Sequence, residues 1–254
     1  MASRLTGTAA LVTGASSGIG EATALSLAVE GAAVALVARR GDRLEALAER
    51  IRGAGARAHV IVADVTDREA AQGAVAEAVE QFGRLDTVIN NAGVMLLGPI
   101  EGAPLEEWER MLALNVQGLM YVAHAALPHL LSAASSDPRG VADLVNVSSV
   151  AGRVARSGSA VYNATKHAVG AFSEGLRQEV TERHVRVSLV EPGAVATELT
   201  DHLSDAAKEG FRTRFDGVET LRSEDISDAI SYLVTRPRHV AINELLIRPT
   251  EQVG

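Results

Sequence analysis

The sequence predicts an α/β fold: a doubly wound parallel sheet of about seven strands flanked by helices, forming a single domain over residues 1–254. Three observations predict it. Apolar runs of strand length alternate with helix-period segments nearly to the C-terminus, the pattern of βαβ units with right-handed crossovers. Hydrophobic residues make up 47% of the chain but aromatics only 3%, so the interior must be built from Ala, Val, Leu and Ile, which suits a sheet covered on both faces. A glycine-rich turn follows the first apolar run and opens the first helical segment.

The elements follow in order. Thr8–Thr13 is a short apolar run that reads as a buried strand, and Ile19–Glu30 carries the helical period after it. The same alternation gives strand Ala33–Ala38 and helix Asp42–Gly53, then strand Ala58–Ala63 and helix Asp67–Phe82. Strand Thr87–Asn90 leads to a long helical segment, Leu105–Leu131, and strand Val141–Val147 to another, Ser159–Arg183. Strand Arg186–Val190, helix Glu224–Thr235 and strand Glu244–Ile247 complete the pattern. Ser132–Gly140 is small, polar and punctuated by Pro and Gly, so it reads as a surface loop. Thr197–Arg222 falls between two strand–helix units; it is either a segment that covers a ligand crevice at the strand ends or an ordinary pair of surface helices.

Composition excludes several function classes. A net charge of −8, with basic residues interspersed among acidic ones, would repel a phosphate backbone and argues against nucleic acid as a partner. The absence of cysteine excludes disulfides, thiolate catalysis and Cys-ligated metal. The opening MASRLTGTAALVTG has too short an apolar run for a signal peptide or membrane span, so a soluble cytoplasmic protein is expected. The seven histidines show no metal-binding pattern, and no metal is expected; His124 and His129, for example, lie about 140° apart around a helix.

The turn after the first strand reads Gly14-Ala-Ser16-Ser17-Gly18-Ile19-Gly20. Glycines there permit a tight bend and close approach of backbone to a pyrophosphate, and the following helix offers free amides and positive dipole potential. With Thr13 in front, the turn resembles the TGxxxGxG of the short-chain dehydrogenase/reductase family, which implies a Rossmann-type dinucleotide fold. Where binders of NAD usually place an acid at the end of the second strand, this sequence has Ala38 and then Arg39 and Arg40. A guanidinium fork matches a 2′-phosphate, so NADP(H) is expected as cofactor rather than NAD(H), although the arginines could instead merely face solvent. Many NADP-dependent relatives carry a second basic residue just before the second glycine; here that position is Ser17. The resemblance further implies that Asp64 and Val65 contact adenine, and that Asn91, Ala92 and Gly93 of the Asn90–Gly93 motif line the cofactor channel.

Tyr162-Asn-Ala-Thr-Lys166 places a phenol and an amine four residues apart on one helical face. A free tyrosine ionises near pH ~10, and a neighbouring ammonium would stabilise its phenolate. Ser149, thirteen residues before Tyr162 at a strand's carboxyl end, can donate to an oxygen on which negative charge grows. Ser148 is the adjacent alternative. The resemblance implies that Ser149, Tyr162 and Lys166 are catalytic, that Lys166 also holds the nicotinamide ribose, and that Asn115 holds a water joining Lys166 to bulk. It implies too that Pro192, Gly193, Val195 and Thr197 hold the nicotinamide carboxamide, so that the pro-S hydride is the one transferred.

These residues imply an oxidoreductase interconverting a small carbonyl and its alcohol. A non-catalytic dinucleotide-sensing regulator is the alternative on the same fold, and an epimerase or dehydratase a third reading that uses the same Tyr and Lys. Segments 94–99, 177–182 and 247–252 resemble the actinobacterial clavulanate dehydrogenase branch of the family, which implies NADPH dependence and a homotetramer. Met95, Leu96 and Leu97 read either as substrate pocket or as core.

Overall fold

Apolar runs without alternating polar positions have no face to offer water, so they pair side by side and take helices on both sides. The computed structural model describes residues 3–136 and 138–253. Its strands are β1 (Ala9–Thr13), β2 (Ala33–Ala38), β3 (Ala58–Val62), β4 (Thr87–Asn90), β5 (Ala142–Val147), β6 (Val185–Pro192) and β7 (Glu244–Ile247). They form one parallel sheet in the order β3-β2-β1-β4-β5-β6-β7. The helices are α1 (Gly18–Val29), α2 (Gly41–Gly53), α3 (Arg68–Phe82), α4 (Leu105–Leu112), α5 (Leu119–Ala134), α6 (Ala160–Val180), α7 (Asp205–Arg214) and α8 (Ser223–Val234).

Register decides which side chain meets which layer. Leu11 lies opposite Ala35 of β2 and Val88 of β4. Those residues pack with α3, α5 and α6, whereas their neighbours Ala10, Val12, Val34 and Leu36 pack with α1, α2 and α8. Successive strand positions thus feed two separate cores, as a period of two requires. Each fully buried Leu, such as Leu11, Leu36 or Leu144, contributes roughly 1.5–3 kcal/mol.

Two expectations need correction. The segment Leu105–Leu131 is not one uniform α-helix, because a π-helical turn, Ala113–Gly118, separates α4 from α5. The helix also continues through Ser132 to Ala134, since Ala133 and Ala134 are buried in the core, so the loop begins later than its polar composition suggested. Asp137 of that loop lies outside the described residues. Between β6 and α8 the chain forms a short 3₁₀ turn, Glu198–His202, and then α7.

Candidate active site

In this strand order β1 is flanked by β2 on one side and β4 on the other, so the crossovers leave β1 and β4 in opposite directions and open a crevice at their carboxyl ends. The two ends are stitched together there. Thr13 Oγ1 accepts from the backbone N–H groups of Asn91 (3.0 Å) and Ala92 (3.1 Å), and Asn91 Nδ2 donates to the Thr13 carbonyl at 3.1 Å. Gly14 has φ +66°, and a Cβ on it would come within 2.9 Å of the Ala92 Cα. The tight bend therefore requires glycine.

A cleft of about 380 Å³ runs along this line. Of the residues chosen from sequence, only Gly20 and Asn115 do not line it. Gly20 packs the turn instead, since a Cβ there would sit 2.3 Å from the Gly14 carbonyl oxygen. The first turn of α1 has no side-chain cap, because the Ser17 hydroxyl does not accept from it. Its leading amides are thus available to an anion, and the positive end of the helix dipole favours one.

At the adenosine end Arg40 donates to Ser16 Oγ (2.9 Å) and Ser17 Oγ (2.7 Å), which fixes its guanidinium beside the phosphate turn. A carboxylate nevertheless opposes this charge. Glu198 accepts from Arg40 at 2.8 Å and from Arg43 at 2.6 Å, and these bonds hold its carboxyl down at about 2. Asp64 lies 3.6 Å from Arg39. Residues 155 and 158 positions apart in sequence meet here, so no local pattern could have paired Glu198 with either arginine.

The catalytic candidates gather at the other end. Tyr162 and Lys166 project from the first turns of α6, both buried, with the ammonium 5.8 Å from the centre of the phenol ring. Lys166 Nζ donates to the Val147 carbonyl at 3.0 Å. Burial pushes the Tyr162 phenol up to about 12, against a smaller opposing effect of its hydrogen bond with Ser149, and burial lowers Lys166 to about 8. The acidic tyrosine expected from its neighbouring ammonium is therefore not what the structure holds. Desolvation sets the direction, and the amine is engaged with backbone.

Ser149 Oγ accepts from the Ala151 amide at 3.1 Å and faces the cleft. Ser148, which also lines the cleft, donates to the Lys166 carbonyl at 3.1 Å, tying β5 to α6. Asn115 sits on the π-helical turn, where such bulges re-aim a side chain. Its Oδ1 accepts from the Val94 amide (2.8 Å), and its Nδ2 donates to the Val94 carbonyl (2.9 Å) and Thr165 Oγ1 (3.2 Å).

The sequence profile described as short chain dehydrogenase matches residues 8–208. The chain belongs to the short-chain dehydrogenase family. Curated relatives agree: this dehydrogenase is 38% identical over 250 residues to an uncharacterized oxidoreductase of Staphylococcus saprophyticus, covering 95% of this chain and 96% of that one. It is 39% identical over 248 residues to glycine betaine reductase ATRR of Emericella nidulans, covering 98% of this chain but spanning only 19% of that much longer protein. The closed form of serine dehydrogenase complexed with NADP+ superposes with a TM-score of 0.88 at 31% identity, covering 97% of each chain. The dehydrogenase is thus an oxidoreductase built to bind a nicotinamide dinucleotide.

Other features of the site were illegible or ambiguous in sequence. Met95 and Leu96 are core, packing with Tyr162, Met111 and Leu203, while Met95 and Leu97 line the cleft and Leu96 does not. From the segment after Thr197, Leu199, His202, Phe211 and Phe215 line the same cleft, so this segment is not a solvent-only helix pair. Asn163, beside Tyr162, was passed over. Its buried amide donates to the Ala151 (2.8 Å) and Val154 (2.9 Å) carbonyls and accepts from the Arg156 amide (3.1 Å).

Proposed function

We propose that this dehydrogenase interconverts a small aldehyde or ketone and its alcohol with NADP(H), using Tyr162 as the general acid and base. The observation that carries the reading is the gathering of half-buried Ser149 with buried Tyr162 and Lys166 around one end of a cleft whose other end is the glycine turn. When bound, the reduced nicotinamide would supply the hydride. Gly14, Ser16, Ser17, Gly18 and Ile19 would hold the pyrophosphate on α1, Arg39 and Arg40 the 2′-phosphate, and Asp64 and Val65 the adenine. Asn91–Gly93, Pro192, Gly193, Val195 and Thr197 would flank the nicotinamide end.

The residues then divide the work. Ser149 donates to the substrate oxygen and steadies the charge that grows there. A phenol pushed up to about 12 is protonated at neutral pH, so Tyr162 is ready to give its proton to that oxygen. Lys166, at about 8, still carries a proton at neutral pH and can restore the phenol. The resemblance gives Asn115 the task of holding a water; in this chain its amide is engaged with Val94 and Thr165, so we assign it to positioning α6 against the loop after β4. The segment at about 197–222 serves as the cover over the substrate.

NADP(H) is favoured over NAD(H) because Arg39 and Arg40 stand where an acid would select NAD. The likeness of three segments to the clavulanate dehydrogenase branch supports the same cofactor and a homotetramer. Exposed Leu105 and Leu112 on α4 offer apolar surface for such assembly, and light scattering showing only a monomer would remove it. No helix among the described residues is long and apolar enough to cross a membrane. The test is a fluorescence titration with NADPH and NADH alongside NADPH consumption on a panel of aldehydes and ketones, with the alcohols identified. Tighter NADPH binding and alcohol formation are expected. Equal binding of the two cofactors would overturn the arginine assignment, and NADPH binding without turnover of any carbonyl would point to a dinucleotide sensor.

A further inference from the structure

The cleft of a chain with net charge −8 carries its charges unevenly. Its lining acids are Asp64 and Glu198, both at the adenosine end and both paired with arginines. Its substrate end holds two further arginines, Arg156 and Arg214, and no acid lines that end. Neither guanidinium forms an ion pair among the described residues, whereas Arg212, on the same helix as Arg214, pairs with Glu209 at 2.9 Å.

The two arginines come from different elements. Arg156 lies on the loop between Ser149 and Tyr162, and its amide is pinned by Asn163, the neighbour of the catalytic tyrosine. Arg214 ends α7, in the segment that covers the cleft, beside the Phe215 ring at 5.1 Å. Burial first, and then the positive charge of Arg156, hold the Arg214 guanidinium below its usual range. Both guanidiniums thus line one cleft, and no acid lines that end to offset their repulsion.

We propose that Arg156 and Arg214 form the subsite for a carboxylate on the substrate, so that the enzyme acts on oxo acids, or the corresponding hydroxy acids, rather than on neutral carbonyls. This rests on the oxidoreductase reading above and narrows its substrate class. A carboxylate accepts two parallel bonds from a guanidinium fork, and its charge removes the mutual repulsion of the pair. Because one arginine is on the fixed wall and the other on the cover, binding the acid also draws the cover over Tyr162, excluding water from the proton transfer.

The experiment measures kcat/KM with saturating NADPH for ω-oxo acids of four to seven carbons, for their methyl esters, for benzaldehyde and for glyceraldehyde 3-phosphate. The wild-type enzyme should prefer at least one oxo acid over its own ester by about 10- to 100-fold, the scale of a charged hydrogen-bonded pair. Arg156→Gln and Arg214→Gln should each bring that ratio down toward one, mainly by raising KM for the acid, with NADPH fluorescence reporting that the variants are folded. An ester or benzaldehyde reduced as well as every acid would overturn the carboxylate site while leaving the oxidoreductase reading standing. Preference for the phosphorylated aldehyde would also overturn it, in favour of a phosphate. Acid-to-ester ratios unchanged in both variants would show that any preference arises elsewhere. No reduction of any carbonyl, with NADPH bound, would bring down the broader reading together with this one.

Discussion

Lys166 should destabilise the fold that it serves. It is buried beside Tyr162 at the end of β5, and burial lowers it from 10.5 to about 8. At about 1.36 kcal/mol per pH unit, holding that ammonium in the folded protein costs on the order of 3 kcal/mol at neutral pH. Lys166→Met keeps the apolar stem and removes the charge, but leaves the Val147 carbonyl without its donor, which costs about 1 kcal/mol. The net expectation is a variant more stable by about 2 kcal/mol, a rise in Tm of about 4–8 °C for a domain of this size. The pH dependence is the sharper criterion. Below pH 8 both folded and unfolded wild-type chains hold the proton, and the penalty is complete. Between about 8 and 10.5 the folded protein has released a proton that the unfolded chain still binds, so wild-type stability rises with pH relative to the variant. Tyr162 acts in the opposite sense only above pH 10, where the unfolded phenol ionises and the folded one does not. The assay is urea unfolding of ligand-free wild type and Lys166→Met at pH 7, 8, 9 and 10. A gap that closes steadily over that range is expected. A variant less stable than wild type at pH 7, or a gap that does not change with pH, would refute the reasoning.

The pH profile of catalysis should show the same lysine from the other side: kcat for carbonyl reduction should fall as pH rises through about 8, where Lys166 loses the proton that restores the phenol. A profile flat to pH 10 would contradict it. Glu198→Gln should free Arg40 and Arg43 for a 2′-phosphate; because all three side chains are largely exposed, the gain should be modest, about two- to fivefold in the NADPH dissociation constant with NADH little affected. Weaker NADPH binding in that variant would show that Glu198 supports the cofactor site rather than competing for it. Asn163→Ala removes three hydrogen bonds from a buried amide and should cost roughly 2–4 kcal/mol in a denaturant titration, with the loop at 151–156 exchanging its amides faster. A loss below 1 kcal/mol would mean that the loop is held by other contacts.

The sheet was legible because parallel strands buried on both faces leave unbroken apolar runs, and Ala33–Ala38 and Thr87–Asn90 stand where those runs lie. The site was legible where its chemistry sits on local motifs, as in the turn at Gly14–Gly20 and the Tyr162–Lys166 pair. The π-helical turn carrying Asn115 left no mark, since Ala113–Gly118 satisfies the ordinary helical pattern and the extra residue is accommodated only in three dimensions. The Glu198 contacts with Arg40 and Arg43, and the shared place of Arg156 and Arg214 in the cleft, depend on the segment after β6 coming back to the strand ends, which no periodicity records. The ionisation of Tyr162 was misjudged for a related reason. Sequence shows the neighbouring amine but not the depth at which both groups lie.

The central claim is that Tyr162 passes the proton that accompanies hydride transfer. Its most direct test is single-turnover reduction of a turned-over aldehyde by pre-bound NADPH, comparing wild type with Tyr162→Phe at matched cofactor occupancy. The account predicts unchanged NADPH binding and a rate constant lowered by about 100-fold or more, the scale of general acid catalysis. A phenylalanine variant that oxidises its bound NADPH as fast as wild type would contradict it.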